Sequence, residues 1–203
     1  IDQTSGTVLY EMNADQTMPI ASITKVMTLL LTFEAVHAGR LTMDTAVPVS
    51  EHAYHMGGSQ IWLEPGEQFT LDEMLKAICV SSANDAAVAV AELVGGSETA
   101  FVQQMNARAA QLGCTSTRFS CPHGLYDDGN VSTAQDMGKI AIACAQYEIY
   151  RQTADTLQYE IPATNLHAAR SIRSTNKMLD PENSCYRAYI HGMKTGFTTK
   201  AGR

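Results

Sequence analysis

The chain has 203 residues and a mass of 22.0 kDa, and its 45% hydrophobic and 17% charged residues exclude a disordered or collagen-like protein. Fourteen Lys and Arg against 21 Asp and Glu give a net charge of -7, which leaves no general basic surface for nucleic acid. The longest apolar runs fall far short of the roughly 20 residues that cross a bilayer, so we expect no membrane-spanning segment.

The first predicted element is a strand at residues 7–12, which is rich in β-forming residues and ends at the turn-prone residues 13–15. From Ser22 onward the apolar residues change to a helical spacing that continues to Val36. Gly39 follows as a C-terminal stop. The sequence therefore predicts a strand, a turn and then a first helix.

Apolar spacing, capping boxes and glycine stops indicate further helices in the middle of the chain. They cover residues 71–82 after a capping box of Thr70 and Glu73, residues 85–93, residues 97–112, and a segment that follows a capping box of Ser132 and Gln135. Beyond Tyr159 the β-branched and aromatic content returns, and residues 187–193 are predicted to form a strand that leads into Lys194.

The order of strand, helices and strand predicts an α/β (α+β) fold. We expect one antiparallel sheet that is built from both chain ends and flanked by helices, with an all-helical lobe inserted at about residues 26–150. No repeat and no linker-like stretch divides the chain, which predicts a single domain over residues 1–203 with neighbouring termini.

The five cysteines are an odd count without a C-x-x-C pair, which fits neither a disulfide framework nor a zinc ribbon. Cys79 and Cys144 lie in apolar helical patterns, where a free thiol acts as a small hydrophobic residue. The His and Glu residues at 51–55 have the wrong spacing for a zinc motif and indicate an exposed helix turn, and residues 127–130 indicate a tight turn. We expect neither a metal nor a cofactor.

Ser22 and Lys25 stand three residues apart at the start of the first helix, so their side chains share one face. The first N–H groups of a helix have no intrahelical partner and can hold an oxyanion, and the helix dipole disfavours the charge of Lys25. The alternative is that Ser22 only caps the helix and that Lys25 lies in solvent. The same spacing recurs at Ser174 and Lys177, without a clear helix behind it.

Two other short motifs carry polar groups that a catalytic cleft could use. Ser82 and Asn84 lie at the junction of two predicted helices, where a turn can direct both groups into one cleft, although an N-cap is the ordinary interpretation. Lys194 and Thr195 are followed by Gly196, and a glycine at that place lets a ligand or another backbone approach a strand closely.

Together, Ser22-x-x-Lys25, Ser82-x-Asn84 and Lys194-Thr195-Gly196 match the three signatures of penicillin-recognising serine enzymes. Nearly the whole chain resembles low-molecular-mass penicillin-binding proteins of the D-alanyl-D-alanine carboxypeptidase family. The flanking segments that carry this resemblance are residues 20–28, 56–59, 82–87, 122–125 and 192–196.

The resemblance implies that Ser22 attacks the D-Ala-D-Ala carbonyl and forms an acyl-enzyme while Lys25 takes its proton. Ser82 would relay a proton to the departing D-alanine, and Asn84 would hold the substrate backbone. The implied partners are peptidoglycan stem peptides and β-lactam antibiotics, and the implied location is extracytoplasmic.

The resemblance also assigns substrate-binding residues near the C-terminal end. Lys194 and Thr195 would bind the terminal carboxylate beside Gly196. The N–H of Phe197 would complete the oxyanion hole with that of the nucleophile, and Arg173 would contact substrate from a neighbouring strand.

The family continues past this point with two strands, a packing helix and often a further domain with a membrane-anchoring tail. We therefore expect residues 1–203 to be a catalytic domain that is truncated at its C-terminal end.

Two alternatives remain open. A serine β-lactamase shares the fold and motifs, but its Glu-based deacylation needs a glutamate four residues before an asparagine, and Glu160 precedes Asn165 by five. A non-catalytic peptidoglycan-binding or penicillin-binding module is the other, since fold does not fix function.

Overall fold

A computed structural model describes residues 1–125 and 129–202 of the protein. The α-helices in this part of the chain are α1 (Lys25–His37), α2 (Glu51–Tyr54), α3 (Leu71–Val80), α4 (Asn84–Gly95), α5 (Glu98–Gln111), α6 (Ala134–Ala145) and α7 (Glu148–Ala154). The strands are β1 (Met18–Pro19), β2 (Ala46–Val47), β3 (Phe69–Thr70), β4 (Val131–Ser132), β5 (Gln158–Ile161) and β6 (Arg170–Arg173). Two 3₁₀ turns cover Ala21–Thr24 and Lys177–Leu179. The turn predicted at residues 127–130 falls partly outside the described residues.

The strands form three antiparallel pairs, and each is short. Strand β1 pairs with β4, β2 with β3, and β5 with β6. The β5–β6 hairpin is the longest, with four residues in each strand and Gln158 opposite Arg173. Because β5 and β6 are joined by a loop, the end of β6 is carried back toward the end of α3, where Thr175 donates its backbone N–H to the carbonyl of Val80.

Helices α1 and α4 form the centre of the core. Nearly every residue of α1 and the whole first two turns of α4 are buried, and Leu29 and Val88 have no exposed surface. A helix that is apolar on all sides must be covered on all sides, and α3, α5, α6 and α7 supply that cover. This packing buries the first turns of α1 and α4, which carry Lys25 and Asn84 of the sequence motifs.

The mixed helix and strand class and the predicted helices are confirmed. One N-cap differs, because Thr133 caps α6 by accepting the N–H of Asp136, whereas Ser132 and Gln135 were predicted to form a capping box. Ser132 lies in β4 opposite Met18, and its hydroxyl lies 2.7 Å from that of Thr117.

The predicted strands at residues 7–12 and 187–193 are wrong for this structure. Both segments lack ladder hydrogen bonds, and Tyr10 is 79% exposed, whereas Ile190 turns back to donate its N–H to the carbonyl of Arg187. A strand requires a neighbour for its N–H and C=O groups, and no described segment pairs with either of these two. The small antiparallel pairs therefore replace the single sheet that was predicted from both chain ends.

Segments near the two ends of the described chain nevertheless lie along one mostly apolar cavity of about 620 Å³. Met12 and Met18 line it from the N-terminal side, and Met193 and Gly202 line it from the C-terminal side. The grouping of residues 1–203 into a single domain stays a prediction. Among the described helices, none is long and apolar enough to cross a bilayer.

Candidate active site

The hydroxyl of Ser22 and the amine of Lys25 lie together at the start of α1. The 3₁₀ turn Ala21–Thr24 leads directly into α1, and Lys25 Nζ lies 3.0 Å from Ser22 Oγ. Ala21, just before the serine, has a φ of +45°, a region that a residue with a Cβ occupies at a cost of about 1–3 kcal/mol. The structure therefore places the nucleophile candidate on a strained turn beside a potential base.

Lys25 is completely buried, which excludes the interpretation of this residue as a lysine in solvent. Besides Ser22, its amine lies 2.7 Å from Asn84 Oδ1 and 2.7 Å from the backbone carbonyl oxygen of His123. Burial, followed by the positive charge of Lys194, lowers the pKa of Lys25 well below its ordinary value. The sequence indicated a helix-dipole effect, but desolvation is the main cause and favours a neutral amine that can accept a proton.

Asn84 is fixed from three directions at the start of α4. Its side-chain Nδ2 donates to the carbonyl of Gly57 at 2.8 Å, and its backbone N–H donates to that of Ser59 at 2.7 Å. Gly58 between them has a φ of +76°, and a Cβ there would lie 2.7 Å from Asn84 Nδ2. Only glycine lets the loop at residues 57–59 lie this close, and the loop leaves Asn84 Oδ1 directed at Lys25.

Ser82 lies in the turn between α3 and α4 but does not cap α4, because the N-cap position is occupied by Ala83. Its φ is +63°, it is only 5% exposed, and its Oγ has no hydrogen-bond partner among the described residues. A buried hydroxyl without a partner costs about 1–3 kcal/mol, and the strained backbone adds a similar amount. A structural cap would relieve such costs, so this hydroxyl is instead available to a ligand.

The segment with Lys194, Thr195 and Gly196 packs against the start of α1. A Cβ on Gly196 would lie 2.8 Å from Ile23 Cγ1 and 3.0 Å from Ile23 N, so a larger residue would push the segment away. The close approach that the sequence predicted at this glycine is thus present. Burial lowers the pKa of Lys194 to about 8, and its Nζ donates to the carbonyl of Thr195 at 2.8 Å.

Arg173 and Ser174 are less closely joined to this cluster, and Phe197 directly follows Gly196. Arg173 is exposed, and its guanidinium lies 2.8 Å from a carboxylate oxygen of Asp180. The ring of Phe197 is 62% exposed. Ser174 Oγ accepts the N–H of Asn176, and within the described chain no hydrogen bond joins Ser174 to Lys177. The second Ser-x-x-Lys match therefore lacks the geometry of the first.

Two contributions to the site had no functional prediction from the residues themselves. The carbonyl of His123 binds Lys25, and Gly124, with a φ of +80°, lies against Ala21. Asp85 accepts the N–H groups of Ile61 and Leu63 and so anchors the segment that follows the Asn84-binding loop. Gly124 was the one sequence signal for the His123 carbonyl, because this glycine lies in residues 122–125, a segment that the family resemblance includes.

Among the described residues, no group of three or more His, Cys, Asp or Glu side chains could hold a metal ion. The site consists of hydroxyls, two amines and an amide, a set suited to acyl transfer by a serine nucleophile. The family model described as D-alanyl-D-alanine carboxypeptidase matches residues 1–203. The chain belongs to this family.

Two known proteins are similar to nearly all of the chain. The chain is 40% identical over 201 residues to D-alanyl-D-alanine carboxypeptidase DacF of Bacillus subtilis, which covers 99% of this chain and 50% of that protein. It is 34% identical over 202 residues to a D-alanyl-D-alanine endopeptidase of Pseudomonas aeruginosa, covering 99% of this chain and 62% of that protein. The chain thus spans about half the length of DacF.

The structure is similar to that of a peptidoglycan synthesis regulatory factor (PBP3) from Streptococcus pneumoniae, with a TM-score of 0.90 and 32% identity. The match covers 100% of this chain and 59% of that one. These comparisons confirm the family that the three sequence motifs indicated.

Proposed function

We propose that the protein is a serine-type D-Ala-D-Ala carboxypeptidase that removes the terminal D-alanine from peptidoglycan stem peptides and is acylated by β-lactams. The observation that carries this proposal is the buried amine of Lys25 between Ser22 Oγ, Asn84 Oδ1 and the carbonyl of His123. Peptidoglycan lies outside the cytoplasmic membrane of bacteria, so the proposal includes an extracytoplasmic location.

We propose that Lys25 is neutral, and a neutral amine can form hydrogen bonds with all three of these neighbours. A neutral amine has two hydrogens and one lone pair, and the two carbonyl oxygens at 2.7 Å, those of Asn84 and His123, accept the hydrogens. The lone pair then faces Ser22 Oγ, which lies 3.0 Å away, and in this proposed state the Ser22 hydroxyl donates to it. Lys25 is therefore arranged to take the Ser22 proton as the general base.

In the proposed acylation, Ser22 Oγ bonds to the carbonyl carbon of the penultimate D-alanine while its proton moves to Lys25. The N–H groups of Ser22 and Phe197 hold the oxyanion. The C–N bond then breaks, Ser82 gives its proton to the departing amine, and Ser82 takes a proton from Lys25. Water hydrolyses the ester, which releases the shortened peptide and restores the Ser22 hydroxyl.

The β-lactamase alternative lacks support from the residues that its deacylation would need. Glu160 lies in β5 opposite Ser171, and Asn165 Oδ1 accepts the N–H of Gln68. In the described part of the chain, no contact joins either residue to Ser22. The non-catalytic alternative gives no reason for a buried amine with a lowered pKa beside a serine.

Covalent labelling of Ser22 by a penicillin tests the proposed function. We expect the adduct on the tryptic peptide that covers residues 1–25, and fragmentation distinguishes Ser22 from Ser5 in that peptide. Ser22→Ala should abolish labelling without unfolding the protein, whereas Ser174→Ala should label like the parent. An adduct on the peptide of residues 174–177, or no adduct on a folded parent, would contradict the proposal.

Lys194 is proposed to bind the carboxylate that ends the substrate. A hydrogen bond to a charged group is worth about 1.5–3 kcal/mol, so Lys194→Ala should lower kcat/KM by about 10- to 150-fold. A peptide with an amidated C-terminus should be a poor substrate for the parent and lose little more in this variant, because the partner is already absent. The measurement is kcat/KM for both peptides, with Lys76→Ala, whose amine pairs with Asp72, as the matched control.

The pKa of Lys194 also predicts how recognition of the substrate carboxylate depends on pH. Its pKa of about 8 means that the charge of Lys194 is present below that pH and lost above it, so carboxylate recognition should weaken as the pH rises past about 8. Equal cleavage of free and amidated peptides by the parent would instead indicate an endopeptidase, the activity named for the Pseudomonas aeruginosa relative.

A further inference from the structure

The hydroxyls of Thr175 and Thr195 form a close pair at the edge of the candidate site. Their Oγ1 atoms lie 2.5 Å apart, at the short end of hydroxyl hydrogen bonds, and either one could be the donor. Thr195 belongs to the segment that packs on the start of α1, whereas Thr175 follows β6 and is exposed. The pair therefore connects the proposed carboxylate-binding residues to the segment after β6, for which the sequence predicted no role in the site.

The segment that carries Thr175 is held from both sides. The N–H of Thr175 donates to the carbonyl of Val80 at 3.1 Å, at the end of α3 and two residues before Ser82. The next residue, Asn176, donates from Nδ2 to the carbonyl of Gly192 at 2.9 Å, just before Lys194. The backbone on which Thr175 stands is thus fixed relative to both the Ser82 turn and the Lys194 segment.

A threonine hydroxyl has only one hydrogen to donate. If Thr195 binds the substrate carboxylate, which only accepts hydrogen bonds, its hydrogen must point at the ligand and cannot be given to Thr175. In the bound state Thr175 must then be the donor of the pair. A hydroxyl that accepts one hydrogen bond while donating another is also polarised by it, which strengthens the bond that it donates.

We propose that Thr175 is a positioning residue that donates its hydroxyl hydrogen to Thr195 and thereby directs the Thr195 hydroxyl to the terminal carboxylate of the substrate. This inference rests on the proposed function. Thr175 acts through Thr195 and needs no contact with the reacting atoms.

Thr175→Val tests this inference, because valine keeps the β-branched shape and removes only the hydroxyl. A neutral hydrogen bond of ordinary strength corresponds to about a two- to twelvefold change, so we expect kcat/KM for a D-Ala-D-Ala peptide with a free carboxylate to fall by that factor. The same peptide with a C-terminal amide should change less than about twofold. Thr175→Ser, which keeps the hydroxyl, should restore the parent's preference for the free acid.

The chain offers a matched control in a second exposed pair of threonine hydroxyls, Thr42 and Thr45, whose Oγ1 atoms lie 3.3 Å apart beyond the far end of α1. Thr42→Val should leave the ratio of free-acid to amide kcat/KM unchanged. Either of two results would overturn the inference: an unchanged ratio in Thr175→Val, or a Thr175→Ser variant whose preference for the free acid falls as far as that of Thr175→Val. Penicillin labelling of Ser22 in the parent separates the two proposals, because a labelled parent with an unaffected Thr175→Val variant contradicts only the role of Thr175.

Discussion

Replacing Lys25 with methionine should slow the acylation of Ser22 by a penicillin about 10²- to 10⁴-fold, the range of general base catalysis. Methionine has a similar length and fills the buried site, but it has no lone pair of sufficient basicity to take the Ser22 proton. Lys25→Arg should be as inactive, because a guanidinium stays protonated and cannot act as a base. The measurement is the rate of covalent labelling, with thermal unfolding recorded for each variant.

Lys177→Met is the matched control for this experiment, since Lys177 occupies the same place in the second Ser-x-x-Lys match and is exposed. Its labelling rate should equal that of the parent. In the parent, at pH values below about 8 where Lys194 keeps its charge, the rate should rise with pH as Lys25 loses its proton, and this rise should be absent in Lys25→Met. If Lys25→Met retained near-parent labelling, the base would lie elsewhere, and Ser82 activated by Lys194 would be the next candidate.

The helices could be predicted from sequence because each one carries its own signals. Thr70 and Glu73 form the predicted capping box at α3, and both of its hydrogen bonds are present. Strands depend on a partner that can be distant in the chain, which is why residues 7–12 have a β-rich composition and yet form no ladder. Conversely, β1 and β4 are two residues each and carry too little sequence to show a period.

The candidate site also combines features that are fixed locally in the sequence with features that depend on distant parts of the chain. The pairing of Ser22 and Lys25 could be predicted because an interval of three residues fixes it locally. The carbonyl oxygens of His123 and Gly57 could not, since every residue has a backbone carbonyl and its direction depends on the tertiary fold. The contact of Thr175 with Thr195 joins positions 20 residues apart through a connection that has no helix or strand period to place it.

Ala21 and Ser82 both have a strained backbone conformation at the candidate site. Both residues have a positive φ, and each belongs to or directly precedes a hydroxyl of the site. Such conformations persist only where surrounding contacts hold them, and in this protein Gly124 is packed against the carbonyl of Ala21. The position of Ser22, the proposed nucleophile, therefore depends on a loop about 100 residues further along the chain.

Gly124→Ala should move that loop away from the turn that carries Ser22 and cause the second large loss of penicillin labelling. An added Cβ would lie 1.9 Å from the carbonyl oxygen of Ala21 and 2.5 Å from its carbon, distances that only a backbone shift can relieve. Such a shift moves the carbonyl of His123 away from Lys25. A displacement of about 1 Å at a catalytic group costs about 10²-fold, so we expect at least that loss in the rate of penicillin labelling.

The positive φ of Gly124 would itself destabilise an alanine by about 1–3 kcal/mol, and this part of the effect has a matched control. Gly113 has a φ of +72°, close to the +80° of Gly124, but a Cβ there meets nothing within 4 Å. Gly113→Ala should lower the free energy of unfolding by the backbone cost alone and leave the labelling rate unchanged. Gly124→Ala should lose more stability than Gly113→Ala and should also lose labelling at temperatures where it remains folded. Equal stability losses with intact labelling in both variants would show that the close approach of Gly124 to Ala21 does not hold Ser22 in place.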